Sequence, residues 1–251
     1  MLLEGRVAFL TGAASGIGRA GALALAREGA SVTVTDLDGA RAQGVADEIT
    51  AAGGRAEAMA LDAGDDSAVQ SAIAQVAARG RLDILHSHAG IQVAGRLTEV
   101  AVDGMDASWR LNVRAHFIAA RAAMPFMQRQ RSGSIIITAS NSGVQYDRGM
   151  IAYCTTKHAV IAMTRQIAAD YATDNIRCNA LCPGFVDTPF NQGFETQMGG
   201  RAALETYIAR SIPMGRWADT DEIAASIVYL ASDLSSFVTG HALVIDGGES
   251  L

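Results

Sequence analysis

Short runs rich in Val, Ile and Leu alternate with longer Ala-rich stretches of helical period along most of the chain. The runs at 6–11, 31–36, 55–61, 82–86, 134–139, 176–182 and 241–245 predict strands, and the segments 16–28, 39–52, 66–79, 104–130, 151–173 and 220–231 predict the helices between them. Ile135-Ile136-Ile137 is apolar without alternation, which suits a strand covered on both faces. The expected architecture is therefore α/β, a doubly wound, seven-stranded parallel sheet flanked by helices on both faces. No Pro-rich, Ser-rich or charged linker and no internal repeat interrupts the pattern, so 1–251 is read as one domain. The stretch from 184 to 214 lacks a clear period and carries Phe185, Pro189, Phe190, Phe194, Met198 and Pro213. A segment of that length predicts a lid over a binding site, about 186–214, with short helices of its own allowed.

Composition narrows the functional classes. Hydrophobic residues make up 49% and charged residues 18%, below the roughly 25% charged share of an average soluble protein. That balance implies a large core and some buried subunit surface. The formal net charge of −6 and the lack of any Lys/Arg run argue against a nucleic-acid partner. No stretch approaches the roughly 18–20 apolar residues of a membrane span, and Met1 to Arg6 does not begin a basic and then apolar leader. The expectation is no membrane partner and a cytoplasmic location. Cys154, Cys178 and Cys182 are odd in number and lack CxxC spacing, which reads as packed thiols rather than a disulfide framework or a zinc site.

The first predicted strand runs into Thr11-Gly12-Ala13-Ala14-Ser15-Gly16-Ile17-Gly18 and then into a helix. Glycines at 12, 16 and 18 permit a tight turn and close backbone approach, so that helix N-terminal N–H groups can face a pyrophosphate. The second strand ends at Asp36, where a carboxylate can accept hydrogen bonds from the adenosine ribose hydroxyls and repel a 2′-phosphate. No Lys or Arg stands at Ser15, Leu37 or Asp38 to neutralise such a phosphate. These residues favour NAD over NADP as cofactor.

Tyr153-Cys154-Thr155-Thr156-Lys157 opens a predicted helix, so Tyr153 and Lys157 share one helix face and can work on the same molecule. A free tyrosine titrates near 10, and proton transfer at neutral pH asks for a value about 3 units lower, or roughly 4 kcal/mol of phenolate stabilisation. Lys157 and an oxidised nicotinamide are suitable sources of it. Ser140, at the end of the fifth strand, is placed to donate a hydrogen bond to a substrate oxygen, and Asn112 to hold a water linking Lys157 to solvent. Each residue alone has an ordinary structural explanation; together, behind a nucleotide-binding turn, Asn112, Ser140, Tyr153 and Lys157 form the candidate catalytic set.

With these residues in place the sequence resembles the short-chain dehydrogenase/reductase family, over nearly its whole length. The resemblance is carried by Thr11-Gly12-xxx-Gly16-x-Gly18, Asp62, Ala89-Gly90, Asn112, Ser140, Tyr153-xxx-Lys157 and Pro183-Gly184. It implies a single-domain Rossmann fold and hydride transfer to or from a carbonyl carbon. It further implies that Asp62 and Ala63 contact the adenine, that Lys157 also binds the nicotinamide ribose, and that Pro183, Gly184, Val186 and Thr188 embrace the carboxamide. One departure stands out: where the family usually has Asn-Asn-Ala-Gly, this chain has Ser87-His88-Ala89-Gly90. Ser87 is expected to brace the sheet less well, and His88 either to contact the cofactor ribose or to fill space. His86 and His88 share a strand face but have no third ligand nearby, so no metal is expected.

The walls of the substrate pocket are expected from Ile91, Gln92 and Val93, from Asn141, Ser142, Val144 and Gln145, and from Phe185 with the lid. Among these, Ser142, Gln145 and Phe185 join Ser140 and Tyr153 as the candidate substrate contacts. The expected activity is NAD-dependent oxidation of a secondary alcohol, such as a polyol, sugar or cyclic alcohol, to a ketone. The alternatives are a 3-oxoacyl-thioester reductase, against whose usual NADPH preference Asp36 speaks, and a non-catalytic NAD-sensing protein. The apolar helices at 104–130 and 151–173 and the Asp246-Gly247-Gly248 tail, by the same resemblance, imply a homotetramer.

Overall fold

Why the three central isoleucines are apolar in succession is explained by the two layers they serve. In the computed structural model, which describes residues 1–251, Ile135 and Ile137 enter one core and Ile136 the other. Phe9 and Leu85 join the first, Ala8, Leu10 and Ile84 the second, as expected where successive side chains point to opposite faces.

The seven strands are β1 (Val7–Thr11), β2 (Ser31–Asp36), β3 (Arg55–Ala60), β4 (Ile84–Ser87), β5 (Gly133–Thr138), β6 (Ile176–Pro183) and β7 (Ala242–Ile245). All pair in parallel, in the order β3-β2-β1-β4-β5-β6-β7. The chain builds outward from β1 in one direction and then, from β4, in the other, which opens a crevice at the carboxyl ends of β1 and β4. The helices α1 (Gly16–Arg27), α2 (Gly39–Ala51) and α9 (Thr220–Ala231) cover one face. The other is covered by α3 (Asp66–Ala77), α5 (Ala115–Gln130) and α6 (Ile151–Tyr171). Several starts are set by caps: Asp38 accepts from the Arg41 N–H at 3.0 Å, Asp65 from those of Ser67 and Ala68, and Asp219 and Glu222 form a reciprocal box.

Two segments differ from the sequence expectation, and a third takes up the short helices that the expectation allowed. The fourth strand starts at Ile84 rather than 82, because the Gln130 side chain takes both backbone groups of Leu82, at 2.7 and 2.8 Å, and keeps it out of the ladder. The single helix expected over 104–130 is α4 (Val102–Trp109), a π turn (Arg110–Arg114) and α5. The segment without period, 184–214, contains α7 (Gln192–Met198) and α8 (Arg201–Ser211), joined through Gly199 and Gly200 at φ +89° and +116°. No helix is long and apolar enough to cross a membrane.

Candidate active site

The crevice opens into a cavity of about 640 Å³. At one end lie Gly12, Ser15, Gly16, Ile17, Asp36, Leu37, Asp62 and Ala63; in the middle His88, Ala89, Gly90, Pro183, Gly184, Val186 and Thr188; at the other end Ser140, Ser142, Tyr153, Lys157 and Phe185. Gly18 lies just behind the turn. The structure therefore brings together nearly all the residues singled out in the sequence.

The turn after β1 is built for close approach. Gly12, at φ +65°, would place a Cβ 3.0 Å from Ala89 Cα, and one on Gly18 would lie 2.1 Å from the Gly12 carbonyl oxygen. A Cβ on Gly16, at φ +50°, would meet Thr188 at 3.2 Å, so the base of the lid segment closes directly over the turn. Asp36 accepts from the N–H groups of Ala14 at 3.1 Å and Asp38 at 3.2 Å, which fixes its carboxylate at the end of β2. No Lys or Arg lines this end of the cavity. An elongated cavity running from a backbone cradle and fixed carboxylate to a Tyr–Lys pair fits a dinucleotide.

Tyr153 and Lys157 are both buried on α6, with the Lys157 ammonium 5.5 Å from the Tyr153 ring centre. Lys157 Nζ donates to the Thr138 carbonyl at 2.9 Å. Burial pushes the ammonium down to about 8 and pushes the Tyr153 phenol well up, with the neighbouring Ser140 hydroxyl working the other way on the phenol. Ser140 caps the turn after β5, accepting from the Ser142 N–H at 3.2 Å.

Asn112 sits fully buried in the π turn. Its side chain accepts from the Ile91 N–H at 2.8 Å and donates to the Ile91 carbonyl at 2.9 Å and to Thr156 Oγ1 at 3.2 Å. All the polar atoms of the side chain are thus engaged, so a water held by Asn112 would sit on its backbone carbonyl. The side chain instead clamps the segment after β4 to α6, and the π turn supplies the offset that lets it face inward. A Cβ on Gly90 would lie 3.0 Å from Asn112 Oδ1 and 3.6 Å from Lys157 Nζ, so that position admits little else than glycine.

The histidine departure has a clear local result. His88 Nδ1 and His86 Nε2 both lie against Thr138 Oγ1, at 3.0 and 2.9 Å, while Ser87 Oγ lies 2.7 Å from His116 Nδ1. Ser87 thus has a partner across the layer in a third histidine. Burial, with Lys157 close by, holds His88 down to about 4, and burial holds His86 and His116 well below the ordinary imidazole range. No group of three or more His, Cys, Asp or Glu is arranged to hold a metal ion. The three cysteines are buried, free thiols.

The substrate end departs from expectation. Gln145 does not line the cavity, and neither do Val144, Ile91, Gln92 or Val93. The turn Asn141–Gly143 carries Val144 outward, while Gln92 packs on Gly193 of α7, whose Cβ position lies 2.6 Å from its Oε1. In their place stand Tyr146, Asp147, Arg148, Tyr207 and Glu249. Asp147 could have been suspected from its place between Ser140 and Tyr153. Glu249 gives no sequence signal beyond following Asp246-Gly247-Gly248, and Tyr207 none beyond lying in the lid segment. The segment after β6 packs through Phe185, whose ring meets Phe194 at 5.3 Å and Tyr207 and Trp217 at 5.9 Å, all edge-on.

Comparison with known proteins finds relatives of the same fold. Residues 12–250 match a family model described as enoyl-(acyl carrier protein) reductase. The chain is 36% identical over 249 residues to a 3-oxoacyl-(acyl-carrier-protein) reductase of Thermotoga maritima, covering 99% of each. It is 39% identical over 250 residues to a 2-keto-3-deoxy-L-fuconate dehydrogenase of Xanthomonas campestris pv. campestris, covering 99% of this chain and 81% of that one. A crystal structure of a gluconate 5-dehydrogenase from Burkholderia cenocepacia J2315, in complex with NADP and tartrate, matches with a TM-score of 0.93 and 32% identity, covering 99% of this chain and 96% of the other.

Proposed function

The chain belongs to the short-chain dehydrogenase/reductase family of oxidoreductases, and on that premise we propose that it is an NAD-dependent dehydrogenase converting a small secondary alcohol to a ketone. The observation that carries this reading is the Tyr153–Lys157 pair, with Ser140 beside it, at the far end of a cavity that begins at the glycine turn. When bound, the dinucleotide supplies the hydride acceptor. Tyr153 takes the hydroxyl proton of the alcohol as the carbon gives up its hydride, and Ser140 holds the same oxygen by a hydrogen bond. Lys157 keeps positive charge against the phenol and, by family resemblance, also holds the nicotinamide ribose. Asn112 keeps Gly90 and α6 in place around that lysine.

NAD is preferred over NADP in this reading because Asp36 would face a 2′-phosphate with no cation lining that end of the cavity. The Burkholderia relative was crystallised with NADP, so the choice is read from this chain's own residues. Similarity to the Thermotoga reductase keeps 3-oxoacyl-thioester reduction as a second reading. Assembly as a homotetramer is supported by apolar side chains left exposed in two places, Trp109, Phe117 and Ile151 around α4 to α6, and Leu234 and Phe237 near β7.

The test is a screen of secondary alcohols, polyols and sugars with NAD and with NADP, following reduced nicotinamide. Turnover with NAD at least tenfold above NADP is expected. Turnover confined to NADPH and 3-oxoacyl thioesters would replace this reading by the second.

A further inference from the structure

The tail after β7 reaches back into the catalytic cavity. Asp246 accepts from the N–H groups of Gly248 and Ser250, both at 2.9 Å, and Gly247 and Gly248 take φ +66° and +90°. This turn sits on the chain leaving α8, where the Gly247 carbonyl accepts from the Met214 N–H at 3.1 Å. It carries the next residue, Glu249, inward to line the cavity. There the Glu249 carboxylate accepts from Asn141 Nδ2 at 2.9 Å and from Tyr207 OH at 3.0 Å.

Asp147, from the loop between Ser140 and Tyr153, lines the same end and is held by the Ser142 hydroxyl. Neither carboxylate makes an ion pair. Both are half-buried, and burial raises Glu249 above the ordinary carboxylate range, with the charge of Asp147 adding to the rise. The rest of the wall at this end is largely aromatic, with Tyr146, Phe185, Phe190, Phe194 and Tyr207. The one cation there apart from Lys157 is Arg148, which is exposed.

Resting on the dehydrogenase reading above, we propose that Glu249 and Asp147 set substrate charge: the pocket takes an alcohol bearing a protonated amine, accepts a neutral one less well and rejects a carboxylate. Two carboxylates without cationic partners gain from an ammonium that donates to their remaining lone pairs. Aromatic faces add a favourable site for the same cation. An anion entering the pocket would meet both negative charges in a space where water screens them poorly.

The test is calorimetric binding of cyclohexylamine, cyclohexanol and cyclohexanecarboxylate to the protein saturated with reduced dinucleotide, which keeps the nicotinamide uncharged. Wild type is compared with Glu249→Gln, Asp147→Asn and Arg148→Ala. The expected order is amine, alcohol, carboxylate, with at least a tenfold gap between the first and last, narrowed severalfold by either carboxylate substitution and not narrowed by R148A, which removes a cation from the same wall. Equal or tighter binding of the carboxylate, a gap insensitive to both E249Q and D147N, or no binding of any of the three overturns the assignment. The binding readout needs no turnover, so a protein that selects the amine but never reduces NAD would contradict the dehydrogenase reading and leave this one standing.

Discussion

The ammonium of Lys157 lies 5.5 Å from the centre of the Tyr153 ring, one turn away on the same helix, and is tied to the Thr138 carbonyl at 2.9 Å. That tie makes the charge a fixed feature of the phenol's surroundings. Burial raises the phenol and lowers the ammonium to about 8, so it disfavours the charged form of each, while a positive Lys157 favours the phenolate.

Removing the charge should therefore alter the pH profile as well as the rate. Oxidation needs the phenolate and gains as pH rises. In Lys157→Met the rising limb of kcat/KM moves to higher pH by about a unit or more, and the value at pH 7 falls ~10²–10³-fold. An unshifted limb would mean that Lys157 acts only by holding the cofactor.

In the proposed reading Asp36 sets cofactor choice by a different kind of interaction, the repulsion of a 2′-phosphate. Asp36→Ala should reduce the ratio of kcat/KM for NAD over NADP by ~10-fold or more, equivalent to ~1.4 kcal/mol. The substitution also frees the N–H groups of Ala14 and Asp38, so some loss with both dinucleotides is expected. An unchanged ratio would place the discrimination elsewhere.

The neutral histidines around β4 link stability to pH. His86, His88 and His116 have folded values below the unfolded 6.5, so the unfolded chain binds more protons once the pH falls beneath 6.5. Stability is full above 6.5 and declines on acidification, by at most ~1.4 kcal/mol per pH unit for each histidine. The His88 share ends near its folded value of about 4. Urea midpoints between pH 7.5 and 5 should fall, and less steeply in His88→Asn; equal slopes in the two proteins would remove His88 from the account.

Arg201, at the start of α8, joins Asp187, Glu195 and Glu205 at 3.0, 3.1 and 2.9 Å and lies 4.2 Å over the Trp217 ring. Exposed pairs of this kind contribute ~1 kcal/mol or less apiece, but these bridge α7, α8 and the loop that follows β6. Arg201→Ala should raise KM severalfold, speed proteolysis at Gly199-Gly200 and leave global unfolding within ~1 kcal/mol. Unchanged proteolysis would show that the aromatic contacts of Phe185 suffice to hold the lid.

The sheet, its helices and the pairing of Tyr153 with Lys157 on one helix face were readable because each is a local pattern. Ile135-Ile136-Ile137 needs both faces covered, and Tyr153 with Lys157 shares a helix face at a fixed spacing. The boundary of β4 was not, since a side chain 48 residues away, Gln130, takes the backbone groups of Leu82. The π turn at Asn112 was hidden for a similar reason: its inward side chain is rewarded by Ile91 and Thr156, neither of which is a neighbour in sequence. The substrate wall was the least readable part. Glu249 enters the cavity through a turn made by Asp246 and two glycines, and its partners Asn141 and Tyr207 come from distant elements. Gln145, polar and close to Ser140 in sequence, lies outside the cavity for want of any such tie.

The central claim is that Tyr153 moves the proton as hydride leaves the alcohol carbon. The direct measurement is single-turnover reduction of NAD by an accepted alcohol in wild type and in Tyr153→Phe, with dinucleotide affinity measured in parallel. Loss of the single OH should slow hydride transfer by ~10²–10⁴-fold while NAD binding stays within about threefold. A Tyr153→Phe protein that transfers hydride at the wild-type rate would contradict the account.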